Sequence, residues 1–209
     1  MIKTNQNREV ALPEILNQMG AKTGVEIGVF KAQFTRVLLE NWPGTMYMID
    51  PWRPLGDEYI DASNHQHHQT AYAEAMDNIK GFENRAFMLR GLGEELVNMF
   101  EDESLDFVYI DGNHAYDYVK QDMEMWWPKL KKGGLFAGHD YLGMDWNDEG
   151  LYENGKDKDI WMVGSESGDE PIYAGIFGVN PAVNEFCQAR GLGFQVTSEW
   201  LGSWHLIKQ

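Results

Sequence analysis

The stretch Thr23-Gly24-Val25-Glu26-Ile27-Gly28-Val29-Phe30-Lys31-Ala32-Gln33-Phe34-Thr35 decides the fold. An apolar strand ends in a carboxylate, turns through a glycine and continues as a helix. Val25 and Ile27 are strand formers, and Phe34, Val37 and Leu38 recur at helical spacing. Such a turn presents helix N–H groups beside an acidic side chain, which suits a ligand with an amino acid end and a nucleoside end. The next apolar run, Met46-Tyr47-Met48-Ile49, closes on a second carboxylate, Asp50. Asp50 follows Glu26 by twenty-four residues, the strand–helix–strand spacing at which an acidic residue meets ribose hydroxyls.

Outward from this unit, strands and helices alternate. The spacing predicts strands over 24–27, 45–50, 86–89, 105–110 and 134–138. Helices are predicted over 12–19 (beginning at Pro13), 31–40, 66–80, 94–100 and 116–130. Leu105–Ile110 is a continuous apolar run, as a central parallel strand requires. From 142 to 172 the alternation stops. This segment is rich in Gly, Asp and Glu, carries Trp146 and Trp161, and reads as a lid or substrate loop. A helix over 180–190, ended by Gly191, precedes two closing strands over 194–197 and 203–207 whose short connection predicts an antiparallel pair.

Composition narrows the function. A chain of 209 residues, 43% hydrophobic and with eight tryptophans, reads as one globular domain over 1–209. No apolar run reaches membrane-spanning length, and the first residues lack an apolar signal core, so a cytoplasmic location is expected. Cys187 is the sole cysteine; it excludes an internal disulfide and reads as a small packed residue. A net charge of −16 argues against nucleic acid or an anionic membrane as partner, because both need a basic surface. A small molecule, a sugar conjugate or a cationic substrate is easier to accommodate, and homo-oligomerisation is left open.

Five ordered elements carry a family resemblance. They are Val25-Glu26-Ile27-Gly28, Ile110-Asp111-Gly112-Asn113-His114-Ala115-Tyr116, Trp127-Pro128-Lys129-Leu130, Gly133-Gly134 and Gly138-His139-Asp140-Tyr141. Together they resemble the class I S-adenosylmethionine-dependent methyltransferases, in a small bacterial branch similar to the metal-dependent sugar and catechol O-methyltransferases. The resemblance implies an α/β, Rossmann-like doubly wound domain, with a mostly parallel seven-stranded sheet and an antiparallel last strand. Two positions depart from the family. Ala32 stands where a further glycine is usual, for which a modest effect is expected. Leu92 replaces a polar residue facing adenine, so adenine contacts are expected from backbone groups.

The resemblance implies a site as well as a fold. S-adenosylmethionine would be held by Glu26, Gly28, Asp50, Gly91, Leu92 and Asp111, with Glu26 at the methionine amino end and Asp50 at the ribose. Asp111, His139 and Asp140 would bind a divalent cation, Mg²⁺ or a transition metal; the histidine favours the latter. The alternative for these three is a helix cap at Asp111 and a polar turn at His139-Asp140. His114 is the expected general base for a hydroxyl acceptor, against a purely structural hydrogen bond. The cluster His65-Gln66-His67-His68 reads as a polar helix start rather than a metal site. Trp52, Tyr59, Trp146, Tyr152 and Trp161 either stack on a small-molecule or sugar acceptor or pack their loops. Two other functions stand beside O-methylation: a non-catalytic S-adenosylmethionine-binding domain, and a nucleotide-dependent oxidoreductase, which would want Gly-x-Gly-x-x-Gly at the first turn.

Overall fold

The computed structural model describes residues 2–55, 68–141, 160–164, 173–199 and 201–209. In chain order the elements begin β1 (Ile2–Lys3), α1 (Arg8–Met19), β2 (Thr23–Ile27), α2 (Gln33–Asn41), β3 (Thr45–Asp50), α3 (His68–Asn78) and β4 (Ala86–Arg90). They continue with α4 (Gly93–Leu96), a 3₁₀ turn at Val97–Met99, β5 (Leu105–Ile110), α5 (Tyr116–Trp126) and β6 (Leu130–Gly138). Last come β7 (Ile160–Gly164), β8 (Tyr173–Phe177), α6 (Val179–Arg190), β9 (Gln195–Val196) and β10 (Trp204–Ile207).

The main sheet has the order β1-β9-β10-β6-β5-β2-β3-β4. Strands β4, β3, β2, β5 and β6 pair in parallel, and β10 runs antiparallel to both β6 and β9. The seven-stranded, doubly wound reading is therefore borne out. Two additions were not legible in the sequence. The two-residue β1 extends the sheet beside β9, too short to leave a periodic signature. At the end of the segment read as irregular, β7 pairs antiparallel with β8, just beyond it, in a separate two-stranded sheet. The last strand also lies inside the sheet, between β6 and β9, rather than at its edge.

Each central strand buries both faces, which explains its unbroken apolar run. Val25, Ile27, Val108, Ile110 and Phe136 join the core beneath α5 and α6. Met46, Met48, Phe107, Tyr109 and Leu135 join the opposite core beneath α1, α2 and α3. Helix α1 starts at Arg8 rather than near Pro13, because Asn7 caps it: its side chain accepts from the Val10 N–H at 3.2 Å. Pro13 sits inside the second turn. Helix α5 ends at Trp126, just before Pro128, and the buried Lys208 ammonium satisfies carbonyls just beyond that end, donating to Trp127 O at 2.9 Å and Leu130 O at 2.6 Å. No helix among the described residues is long and apolar enough to cross a membrane.

The strand order reverses between β2 and β5, so a crevice opens beyond their carboxyl ends. Phe136 anchors the sheet behind that crevice, its fully buried ring 5.2 Å from Trp127 and 5.3 Å from Trp204. Phe136→Ala should cost about 3–5 kcal/mol in a urea unfolding titration; an unchanged midpoint would show that this aromatic cluster does not hold the sheet.

Candidate active site

Gly28 ends β2 with φ +85°. A methyl group on it would lie 2.0 Å from the Asp111 carbonyl oxygen. The β2–α2 turn thus presses directly on the start of the β5–α5 turn, and only glycine fits. The same turn takes left-handed geometry at Phe30 (φ 50°) and Ala32 (φ 58°), each costing about 1–2 kcal/mol without glycine's freedom. Asp50 helps hold it: one oxygen accepts from the Phe30 N–H at 2.8 Å and the other from the Trp52 N–H at 2.7 Å. Trp52 is buried and donates from its indole to Phe30 O at 2.7 Å, so it packs its loop onto the turn.

A cavity of about 380 Å³ lies over these turns. Gly28, Asp50, Gly91, Leu92, Asp111 and His114 all line it. Glu26 is not on its wall: the side chain is buried behind the turn and accepts a hydrogen bond from Thr35 Oγ1. Burial pushes this carboxyl up to about 8, against the Thr35 hydrogen bond, with Asp111 adding to the rise. His68 also lines the cavity; His65, His67, Tyr59, Trp146 and Tyr152 lie outside the described residues, and Trp161 falls in β7.

Asp111, His114, His139 and Asp140 come together at the ends of β5 and β6. His114 Nε2 is 2.7 Å from Asp140 Oδ2 and 3.6 Å from Asp111 Oδ1. His139 Nδ1 is 3.1 Å from Asp140 Oδ1 and 3.7 Å from Asp111 Oδ1. Asp111, His139 and Asp140 each offer one donor atom, and the three atoms fall within 4.8 Å of one another. Burial alone would raise both carboxyls. The His139 charge and the hydrogen bonds from His114 and His139 reverse that, taking Asp111 down to about 2 and Asp140 well below the usual range. Burial likewise opposes the charge on His139, but Asp140 and Asp111 carry it up to about 9.

The sequence reading missed Arg8. Its guanidinium stacks over the Phe34 ring at 4.7 Å, donates to Tyr109 Oη at 2.9 Å and lies 3.4 Å from Asp111 Oδ2. It places a fixed positive charge behind Asp111. A cation in the first turn of a helix opposes the helix dipole, and that oddity was the available signal. From the other side, Gly178 N–H donates to His114 O at 2.7 Å, tying the start of α6 to the same loop.

This fold and this strand-end cleft define a class I methyltransferase architecture. Residues 21–141, more than half of the chain, match the family described as Methyltransferase domain, and the chain belongs to that family. The resemblance read from the sequence is thereby borne out. An uncharacterized protein of Sinorhizobium fredii, y4gI, is 30% identical over 94 residues, covering 45% of this chain and 10% of that protein. The match thus spans a small fraction of that relative's length. Among solved structures, a Staphylococcus aureus protein provisionally assigned as a caffeoyl-CoA O-methyltransferase superposes with a TM-score of 0.66 at 18% identity, covering 96% of this chain and 82% of that one. An O-methyltransferase from Bacillus cereus, solved with SAH, gives 0.59 at 14% identity over 94% and 79%. At these identities the likeness is one of fold.

Two variants test the turn. Gly28→Ala should cost more than about 3 kcal/mol or prevent folding, because the clash is with backbone; a soluble variant with unchanged melting temperature would refute the packing. Glu26→Gln keeps an acceptor for Thr35 and removes a carboxyl whose folded pKa is raised. The raised pKa costs the wild type stability as pH climbs above the unfolded value near 4.5, and the cost is complete above about 8. The variant should match wild type near pH 4 and exceed it by up to about 5 kcal/mol at pH 9, as read by thermal melts; a constant difference across pH would contradict the buried, neutral carboxyl.

Proposed function

We propose that this protein is an S-adenosylmethionine-dependent O-methyltransferase acting on a hydroxyl of a small molecule or sugar, assisted by a divalent cation. The observation that carries the reading is the convergence of Asp111, His114, His139 and Asp140 on the cavity that Gly28 and Asp50 share. The strand-end carboxylates suit the cofactor and the acceptor in one crevice. The names of the structural neighbours, several of them O-methyltransferases, point the same way.

S-adenosylmethionine, when bound, supplies an electrophilic methyl group on sulfur. The chain's contribution is position, which can be worth about 7–11 kcal/mol in ideal cases. Gly28 allows the backbone close to the methionine end. Asp50 keeps a second lone pair on each oxygen beyond its two backbone bonds, enough to accept from ribose hydroxyls. Glu26 lies behind the turn, where it fixes Thr35 and stands near the amino end of the ligand.

Asp111, His139 and Asp140 fit a divalent cation: one imidazole nitrogen and two carboxylate oxygens converge within 4.8 Å of one another at the strand ends. Such a cation would polarise an acceptor hydroxyl and lower its pKa. One nitrogen with two carboxylates suits a transition metal better than Mg²⁺. His114, oriented by Asp140, is placed to take the hydroxyl proton as the acceptor oxygen attacks the methyl carbon. Arg8 holds Asp111 from behind, leaving Oδ1 turned toward the histidines.

Methyl transfer to a panel of catechol and sugar acceptors, followed by mass spectrometry with and without EDTA, tests the reading. His114→Ala should lower turnover by about 10²–10⁴-fold while leaving cofactor affinity unchanged. EDTA should abolish turnover and Mn²⁺ restore it. Full activity in EDTA would remove the cation from the mechanism, and unchanged turnover of His114→Ala at saturating acceptor would remove the base.

A further inference from the structure

Asp122, on α5, lines the same cavity and takes no part in the chemistry above. Its carboxylate stands against two glycines. A methyl group on Gly93 would lie 3.4 Å from Oδ1, and one on Gly112 would lie 3.7 Å from Oδ2. Among the described residues no hydrogen bond or ion pair reaches it. One helical turn on, the fully buried Trp126 carries its indole N–H without a partner, 3.3 Å from the same point on Gly93. An acceptor on the cavity wall and, behind it, an indole donor therefore both stand against Gly93 with no protein group to satisfy either. Buried polar groups are rarely left so unless something outside the fold completes them. Burial, with the Glu94 charge adding to it, holds the Asp122 carboxyl up at about 7.

The position of this corner says what would complete it. With the methionine end at Gly28 and the ribose at Asp50, the base is left with the part of the cavity between Gly91–Gly93 and α5. Leu92 offers that region only an apolar side chain, and its N–H is already donated to Glu95 Oε2 at 2.9 Å. The backbone readout expected from the sequence is thus closed at this residue, and the polar readout falls to α5.

We propose that Asp122 recognises the 6-amino edge of the cofactor's purine and makes the protein select a 6-aminopurine nucleoside over its 6-oxo counterpart; the proposal rests on the cofactor reading above. An exocyclic amine donates a hydrogen bond that a carboxylate accepts. At the same position a 6-oxo group sets oxygen against oxygen, and sites built on such a polar contact reject the wrong partner strongly. Asp122 acts here in binding, with no part in bond making.

Calorimetric titration of S-adenosylhomocysteine and S-inosylhomocysteine into the full chain, at about pH 9 so that the carboxylate is ionised, tests this. Wild type should bind the 6-amino ligand at least about tenfold tighter. Asp122→Leu, with Asp122→Ala as a second variant, should lose that preference while melting no lower than wild type, since an unpaired, partly desolvated acid is removed. Asp122→Asn can turn either its carbonyl or its NH2 to the purine and should weaken the preference while retaining binding of both ligands. Equal binding of both ligands by wild type, or a preference that survives in Asp122→Leu and Asp122→Ala, overturns the proposal and leaves the cofactor reading standing. Failure of wild type to bind either ligand overturns both.

Discussion

The contact between Gly28 and the Asp111 carbonyl sets the rest of the structure. Its 2.0 Å approach to a hypothetical methyl group leaves no freedom in how the first and fourth strands of the parallel sheet end relative to each other. Backbone bonds reinforce it: Asp111 N–H donates to Ile27 O at 2.7 Å, and Gly28 N–H to Ile49 O at 2.8 Å. Three strand ends are thereby locked together, and each carries a carboxylate at or beside its end: Glu26, Asp50 and Asp111. The crevice is a consequence of that locking. The left-handed residues Phe30, Ala32, Trp52 and Asp140 cluster around it, which is where a fold tolerates backbone strain when binding geometry depends on it.

Concentrating acids in a buried crevice has an electrostatic cost, and the chain meets it in two ways. Glu26 and Asp122 have no cation strong enough to offset burial, and both are driven toward the neutral form. Asp111 and Asp140 are instead kept ionised by His139, His114 and, for Asp111, Arg8. The division is functional in the reading given above. The ionised pair stands where a cation and a hydroxyl would be held, and the pair with raised pKa values stands where a nucleoside and its amino acid tail would be enclosed. A strongly negative chain thus handles its internal charge residue by residue.

Much of this was legible in the sequence because the relevant signals are local. Thr45–Asp50 and Leu105–Ile110 were read to the residue, since a strand buried on both faces leaves an uninterrupted apolar run. The Gly191 stop of α6 was legible from its left-handed requirement, seen as φ 64°. The cavity-lining set Gly28, Asp50, Gly91, Leu92, Asp111 and His114 was legible from strand ends read together with the family resemblance. What escaped depends on tertiary contact. Arg8 reaches Asp111 across a hundred residues of sequence, and its helix start was misplaced because Pro13 was weighed above Asn7. Asp122 looks like any polar residue on a helix until Gly93 and Gly112 bring two turns against it. Ala32 was read as a small spacer, and its left-handed backbone could not be seen without the turn around it.

The most direct test is a crystal structure with S-adenosylhomocysteine and Mn²⁺ soaked in, using anomalous scattering to locate the metal. Ligand density running from Gly28 past Asp50 toward Gly91, with an anomalous peak among Asp111, His139 and Asp140, is the predicted result. Density for either ligand elsewhere, or an anomalous peak that avoids those three residues, would contradict the assignment of this strand-end crevice as the place where methyl donor and acceptor meet.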